Sequence, residues 1–215
     1  MLSLRDLEKH LYKEVKSFLK PKGFKKKGDE LIKTSAEYIN SLGISIAYYA
    51  TAGSSLNFSV TVSFNAVNEI LSQFYQSIHG FSGDDDYPLL IGGLTDLKNI
   101  KGNYHQDVIT LEDADEALEN FYIDFEKYIE PFFEQYSSLE NIERYINRDY
   151  QVQDNLNVMH KSQMGVLLAH MTGREDVSKI YEEYVKSWKN DPCDEDLIQD
   201  NLETLEKLKD HLGIV

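Results

Sequence analysis

Residues 56–64 read LNFSVTVSF. Leu56, Phe58, Val60, Val62 and Phe64 alternate with Asn57, Ser59, Thr61 and Ser63, so an extended chain here puts its apolar groups on one face and small polar groups on the other. Such clean alternation belongs to an antiparallel sheet with one covered face, since parallel strands are buried on both. Upstream, Ile44, Ile46 and Tyr48 alternate with Ser45, Ala47 and Tyr49, and the polar residues 51–55 are expected to turn the chain between these two strands. Farther back, residues 24–27 and 30–34 flank Gly28-Asp29, which reads as a hairpin whose lysines point outward. A meander follows. Residues 89–94 are expected to add an edge strand weakened by Gly92 and Gly93.

Helical spacing brackets this sheet. Leu4, Leu7, Leu11, Val15 and Phe18 recur at that period, with Ser3 as a cap and Pro21 and Gly23 as the stop. Val67, Ile70, Leu71, Phe74 and Ile78 mark a second helix. From Glu112, Ala114, Ala117, Leu118, Phe121 and Phe125 form one side of a third, which Pro131 is expected to break or kink. A helix over 139–146 comes next. Helices around 164–171 and 177–188, separated by Gly173, read as an αα-hairpin, and Ile198, Leu202, Leu205, Leu208 and Leu212 line the last helix after the Asp191-Pro192-Cys193-Asp194 break. The class is α+β, with a mainly antiparallel sheet packed by helices over residues 1–150 and an all-helical extension over 151–215.

With 215 residues the chain can bury a core without staples, and its single cysteine, Cys193, excludes an intramolecular disulfide and a cysteine-based zinc site. Charged residues interrupt the N-terminus, and apolar stretches such as residues 44–50 fall far short of the ~18 needed to span a bilayer. A cytoplasmic location without membrane association is the expectation. Net charge is -15 and unevenly placed. Residues 1–33 carry ten Lys/Arg against five Asp/Glu, whereas residues 101–215 carry eleven against twenty-six. The second field repels nucleic acid and steers a basic partner toward the C-terminal half.

No chemical motif stands out. Asp84, Asp85 and Asp86 lack the companions of a calcium loop, which needs glycine at the sixth position and glutamate at the twelfth; counted from Asp84 these are Leu89 and Thr95. His10, His79, His105, His160, His170 and His211 include no pair at i, i+4, so neither metal nor cofactor is expected. Asp191, Asp194, Glu195 and Asp196 disfavour a Cys193 thiolate. Gly92-Gly93 lacks the Walker lysine and the dinucleotide fingerprint. Lys20, Lys22, Lys25, Lys26 and Lys27 around Phe24 fit a lysine-protected edge strand better than a phosphate-tracking patch. Tyr181, Tyr184 and Trp188 read as helix-hairpin core.

The phrases LKPKGFKKKGDELIK at residues 19–33 and YIEPFFEQYSSLENI at residues 128–142, with the small-polar sheet between them, resemble the bacterial family called domain of unknown function 4304. The resemblance covers the chain to about Asn147, leaves out the C-terminal helices, and supplies no catalytic residues. Small acidic domains of this style are similar to immunity proteins, which occlude a cognate toxin.

The expected function is a non-catalytic acidic protein-binding module, of the type that inhibits a basic bacterial toxin, with Asp84, Asp85, Asp86, Asp194, Glu195, Asp196 and Asp200 as contact residues. The alternative is a hydrolase or transferase assembled only in the fold, with His105 and the 84–86 carboxylates as contributors. A third reading is an adaptor that dimerises through the 198–212 helix.

Overall fold

Leu7, Leu11, Val15 and Leu19 lie on one stripe at helical spacing and all four are buried. They anchor α1 (Leu4–Leu19) in a computed structural model that describes residues 4–49, 53–79, 88–98, 106–151 and 161–215. Pro21 sits in a single 3-10 turn (Lys20–Lys22), and Gly23 closes it at φ +93°, a left-handed conformation that glycine adopts without a Cβ penalty.

The sheet begins with β1 (Lys25–Lys27), β2 (Glu30–Thr34), β3 (Tyr38–Tyr49) and β4 (Gly53–Phe64) in spatial sequence, followed by β5 (Leu90–Gly93) beside β4. A short β6 (Gln106–Asp107) also pairs with β4. The β1–β2, β2–β3 and β4–β6 pairs are antiparallel. With these strands and the surrounding helices the chain is of the α+β class.

Two strand boundaries differ from the sequence reading. Residues 53–55 belong to β4 and not to the turn, and β3 starts at Tyr38, six residues before Ile44. Asn40 and Ser41 disguise that start, because they break the apolar alternation while their backbones pair with Lys33 and Ile32 of β2. Ser35 makes the intervening turn, its hydroxyl accepting from the amides of Glu37 and Tyr38 at 3.2 and 2.9 Å.

Short helix α3 (Leu94–Leu97) leads on from β5, and α4 (Leu111–Asp124) follows β6. Leu56, Phe58, Val60 and Val62 of β4 are buried on one face, where Phe58 stacks on Phe121 of α4 at 4.3 Å, while Ser59 on the other face is exposed. Phe18 of α1 also stacks on α4 at Tyr122, so ring contacts join helix to helix and helix to sheet.

Pro131 does not break the helix that follows. A wide π-helical turn (Phe125–Ile129) comes first, with the Glu130 amide bonding to the Phe125 carbonyl, and α5 (Glu130–Gln135) runs through the proline. The widened turn relieves the clash and the missing hydrogen bond that proline imposes on a regular helix.

The remaining helices are α2 (Asn65–His79), α6 (Leu139–Ile146), α7 (Lys161–Met171), α8 (Val177–Lys189) and α9 (Glu195–Leu212). Two compact units result, Met1–Val62 with Ile91–Gln135 and Ser63–Leu90 with Tyr136–Val215. This division differs from a cut at residue 150, because α6 is hydrogen-bonded to α7 and α8 through Asn147, Gly165 and Tyr184. The second unit buries Val166, Ala169, Ile180, Tyr184, Trp188 and Leu205 in one cluster.

Candidate partner-binding face

Helix α9 is built from clear end signals. The Asp194 carboxylate accepts from the Asp196 amide at 3.0 Å, capping an otherwise unpaired donor, and Gly213 ends the helix at φ +66°. Leu205 and Leu208 are fully buried, and Ile198, Leu202 and Leu212 are half-buried against the cluster of the second unit. The apolar stripe is therefore used within the chain, not offered to a second copy as the adaptor reading requires.

The opposite half of α9 is acidic. Asp196, Asp200 and Glu203 follow at i, i+4 and i+7, all exposed, with Glu195 beside them and Lys207 continuing the row. Helix α8 has no such bias, since exposed Lys179, Lys186 and Lys189 accompany Glu182 and Glu183. Of these two helices, α9 carries the acidic excess and α8 does not.

A cavity of about 330 Å³ opens at this row, lined by Asp200, Asn201, Glu203, Thr204 and Lys207 of α9 together with Gln163 and Tyr75. Its polar groups are held from beneath. Trp188 Nε1 donates to Ser162 Oγ at 3.0 Å, Ser162 Oγ donates to Gln163 Oε1 at 3.0 Å, and Gln163 Nε2 donates to Asn201 Oδ1 at 3.2 Å. Ser162 and Gln163 are both about 1% exposed, so the chain of bonds is shielded from water. Gln199 Nε2 donates to Glu203 Oε1 at 2.9 Å, and the Asp200 carboxylate has no partner among the described residues. Glu203, held by Gln199, and Asp200 are the two carboxylate acceptors the cavity offers to an incoming ammonium or guanidinium group.

Of the expected contact residues, Asp194, Glu195, Asp196 and Asp200 come together at the start of α9, with Asp194 committed to capping. Asp84, Asp85, Asp86 and His105 lie outside the described residues. Glu203, Gln163 and Tyr75 were not anticipated, and only Glu203 carried a local signal, its i+7 spacing from Asp196. A second acidic row was also missed. Glu112, Asp115, Glu116 and Glu119 are exposed on α4, a helix without lysine or arginine, and Asp115 accepts from His10 at 2.8 Å. At its start, hydrogen bonds from the Ile109 and Thr110 amides hold the Asp113 carboxyl below the usual aspartate range.

Other sequence candidates are occupied by packing. Phe24 is buried against Phe125 and Phe133, while Lys25, Lys26 and Lys27 are exposed on the edge strand β1. Cys193 is half-buried, its amide donating to Asp191 Oδ1 at 3.0 Å. Among the described residues no group of three or more His, Cys, Asp and Glu side chains is placed to hold a metal ion, and no helix is long and apolar enough to cross a membrane. Comparison with protein-family models, curated proteins and solved structures returned no match.

Proposed function

We propose that this protein is a non-catalytic binding module that captures a basic protein partner on the acidic face of α9, in the manner of an immunity-type inhibitor of a basic bacterial toxin. The observation that carries the reading is the exposed row Asp196, Asp200 and Glu203 beside a cavity whose amide walls are already hydrogen-bonded. Preorganised acceptors lower the ordering cost of binding, and like-signed carboxylates accelerate encounter with a cationic surface. A partner arginine suits the cavity best, because its planar fork can bond two carboxylates and an amide oxygen together.

The test is co-purification from the host with wild-type protein and with Asp196→Asn/Asp200→Asn/Glu203→Gln. A stoichiometric basic partner, retained at ~50 mM salt and released toward ~500 mM, is expected for the wild type and lost for the triple variant. No stoichiometric partner, or equal retention by the triple variant, sinks the reading.

A further inference from the structure

The first compact unit contains a second charged concavity. A cavity of about 760 Å³ lies between α1 and the strands beside it. Lys9, Lys13 and Lys16 line its helical wall at i, i+4 and i+7, and Lys26 lines it from β1. Lys26 is cross-strand partner to Leu31, which is fully buried, so the two share one sheet face and Lys25 and Lys27 take the other. The Lys26 ammonium sits 4.7 Å from the Tyr12 ring centroid, and the Tyr12 hydroxyl donates to the Glu30 carbonyl at 3.4 Å. One cation is therefore fixed opposite the helical row.

The remaining groups define the charge. Lys13 is 3.1 Å from Glu14, whereas Lys9 and Lys16 have no carboxylate partner among the described residues. Glu8 and Asp29 also line the cavity. Burial, then the charges of Asp29 and Glu30, push the Tyr12 hydroxyl pKa up, so Tyr12 stays a neutral donor and adds no negative charge. With Lys13 paired to Glu14, three cations, Lys9, Lys16 and Lys26, face Glu8 and Asp29, and their placement on two walls lets an anion with several charged groups meet more than one ammonium at once.

We propose that this cleft binds a compact oligophosphate group. Lysine ammoniums act as point charges that suit phosphate oxygens without the planar matching a carboxylate draws from arginine. The volume falls within the ~300–1,000 Å³ usual for small-ligand sites. A nucleic-acid strand fits less well, because base stacking needs an open ring face, and here Tyr12 is covered by Lys26 and Phe24 is buried. The assignment does not rest on the α9 reading.

The experiment is calorimetric titration of the full chain with inorganic tripolyphosphate at ~50 mM salt. Saturable one-to-one binding is expected. Lys16→Gln/Lys26→Gln, taken from the two walls, should weaken it at least about tenfold, while Lys25→Gln/Lys27→Gln, which removes equal charge from the far face, should change it less than about twofold. Melting curves verify that both variants are folded. A nucleoside triphosphate is expected to bind within about threefold of tripolyphosphate. Absence of saturable binding, equal weakening by the two double variants, or a preference of about tenfold for the nucleotide overturns the assignment.

Discussion

The Tyr184 hydroxyl donates to Asn147 Oδ1 at 2.8 Å, while Asn147 Nδ2 donates to Glu143 Oε1 at 2.8 Å and to the Gly165 carbonyl at 3.0 Å. Tyr184, Asn147 and Glu143 are all buried, and Arg174 closes the set with a 2.9 Å bond to Glu143. One asparagine thus uses both ends of its amide to fasten α6, α7 and α8. Buried polar groups are tolerated only when satisfied in this way, and a satisfied set fixes one packing arrangement.

Gly165 is where this fastening is tightest. A methyl group there would run into Asn147 Oδ1 and the Tyr184 ring, both held by hydrogen bonds and unable to swing aside. Gly165→Ala is expected to destabilise by about 2–3 kcal/mol, near the upper end for overpacking. Tyr184→Phe, which strands the Asn147 acceptor, should lose about 1–3 kcal/mol. Urea midpoints at constant m-value measure both; an unchanged midpoint for Gly165→Ala would mean the helices separate freely.

Lys98 at the end of α3 grips both oxygens of Asp124 on α4, at 2.8 and 2.9 Å, with little of either side chain exposed. Asp124→Leu alone takes this carboxylate away from a largely buried ammonium and is expected to lose about 3 kcal/mol. Adding Lys98→Met should restore most of the loss, since an apolar pair can replace a buried ion pair at little net cost. Denaturant titration of the two single variants and the double variant checks the cycle.

Arg174 also bonds Asp176, at 2.8 and 2.7 Å, and this hydrogen-bonded cation holds the Asp176 carboxyl below its ordinary pKa of 3.8. A depressed folded pKa means the unfolded chain binds the proton first. The stabilisation is present above pH 3.8 and is lost as pH falls through the lower folded value. Asp176→Asn should therefore be less stable than wild type at neutral pH, with the gap narrowing in acid. Melting temperatures across pH 7 to about 2.5 test the sign.

Asp194 and Asp200 are both exposed acids on α9, yet only Asp194 bonds the helix end. Asp194→Ala is expected to lose about 1 kcal/mol of stability, whereas Asp200→Asn should stay within about 0.5 kcal/mol. Thermal denaturation separates the two, so a binding defect of Asp200→Asn can be read as loss of contact and not of fold.

Sequence alone determined the pieces whose cause is local. The two-residue alternation of Leu56 to Phe64 identifies β4 and its covered face. Gly28-Asp29 marks the hairpin, and the Asp191-Pro192-Cys193-Asp194 break marks the start of α9. The acidic start of α9 was legible for the same reason, since charge and helical spacing are both read within a few residues. Tertiary structure decided the rest. The β3 start at Tyr38 depends on pairing with β2, and the passage through Pro131 depends on a π turn that no propensity announces. Gln163 meets Asn201 from 38 residues away, Asn147 meets Tyr184 from 37, and Lys26 finds Tyr12 across a helix–sheet junction. Periodicity tells which face of an element is buried, but the identity of the atoms opposite that face is set only when separate elements pack and exclude water.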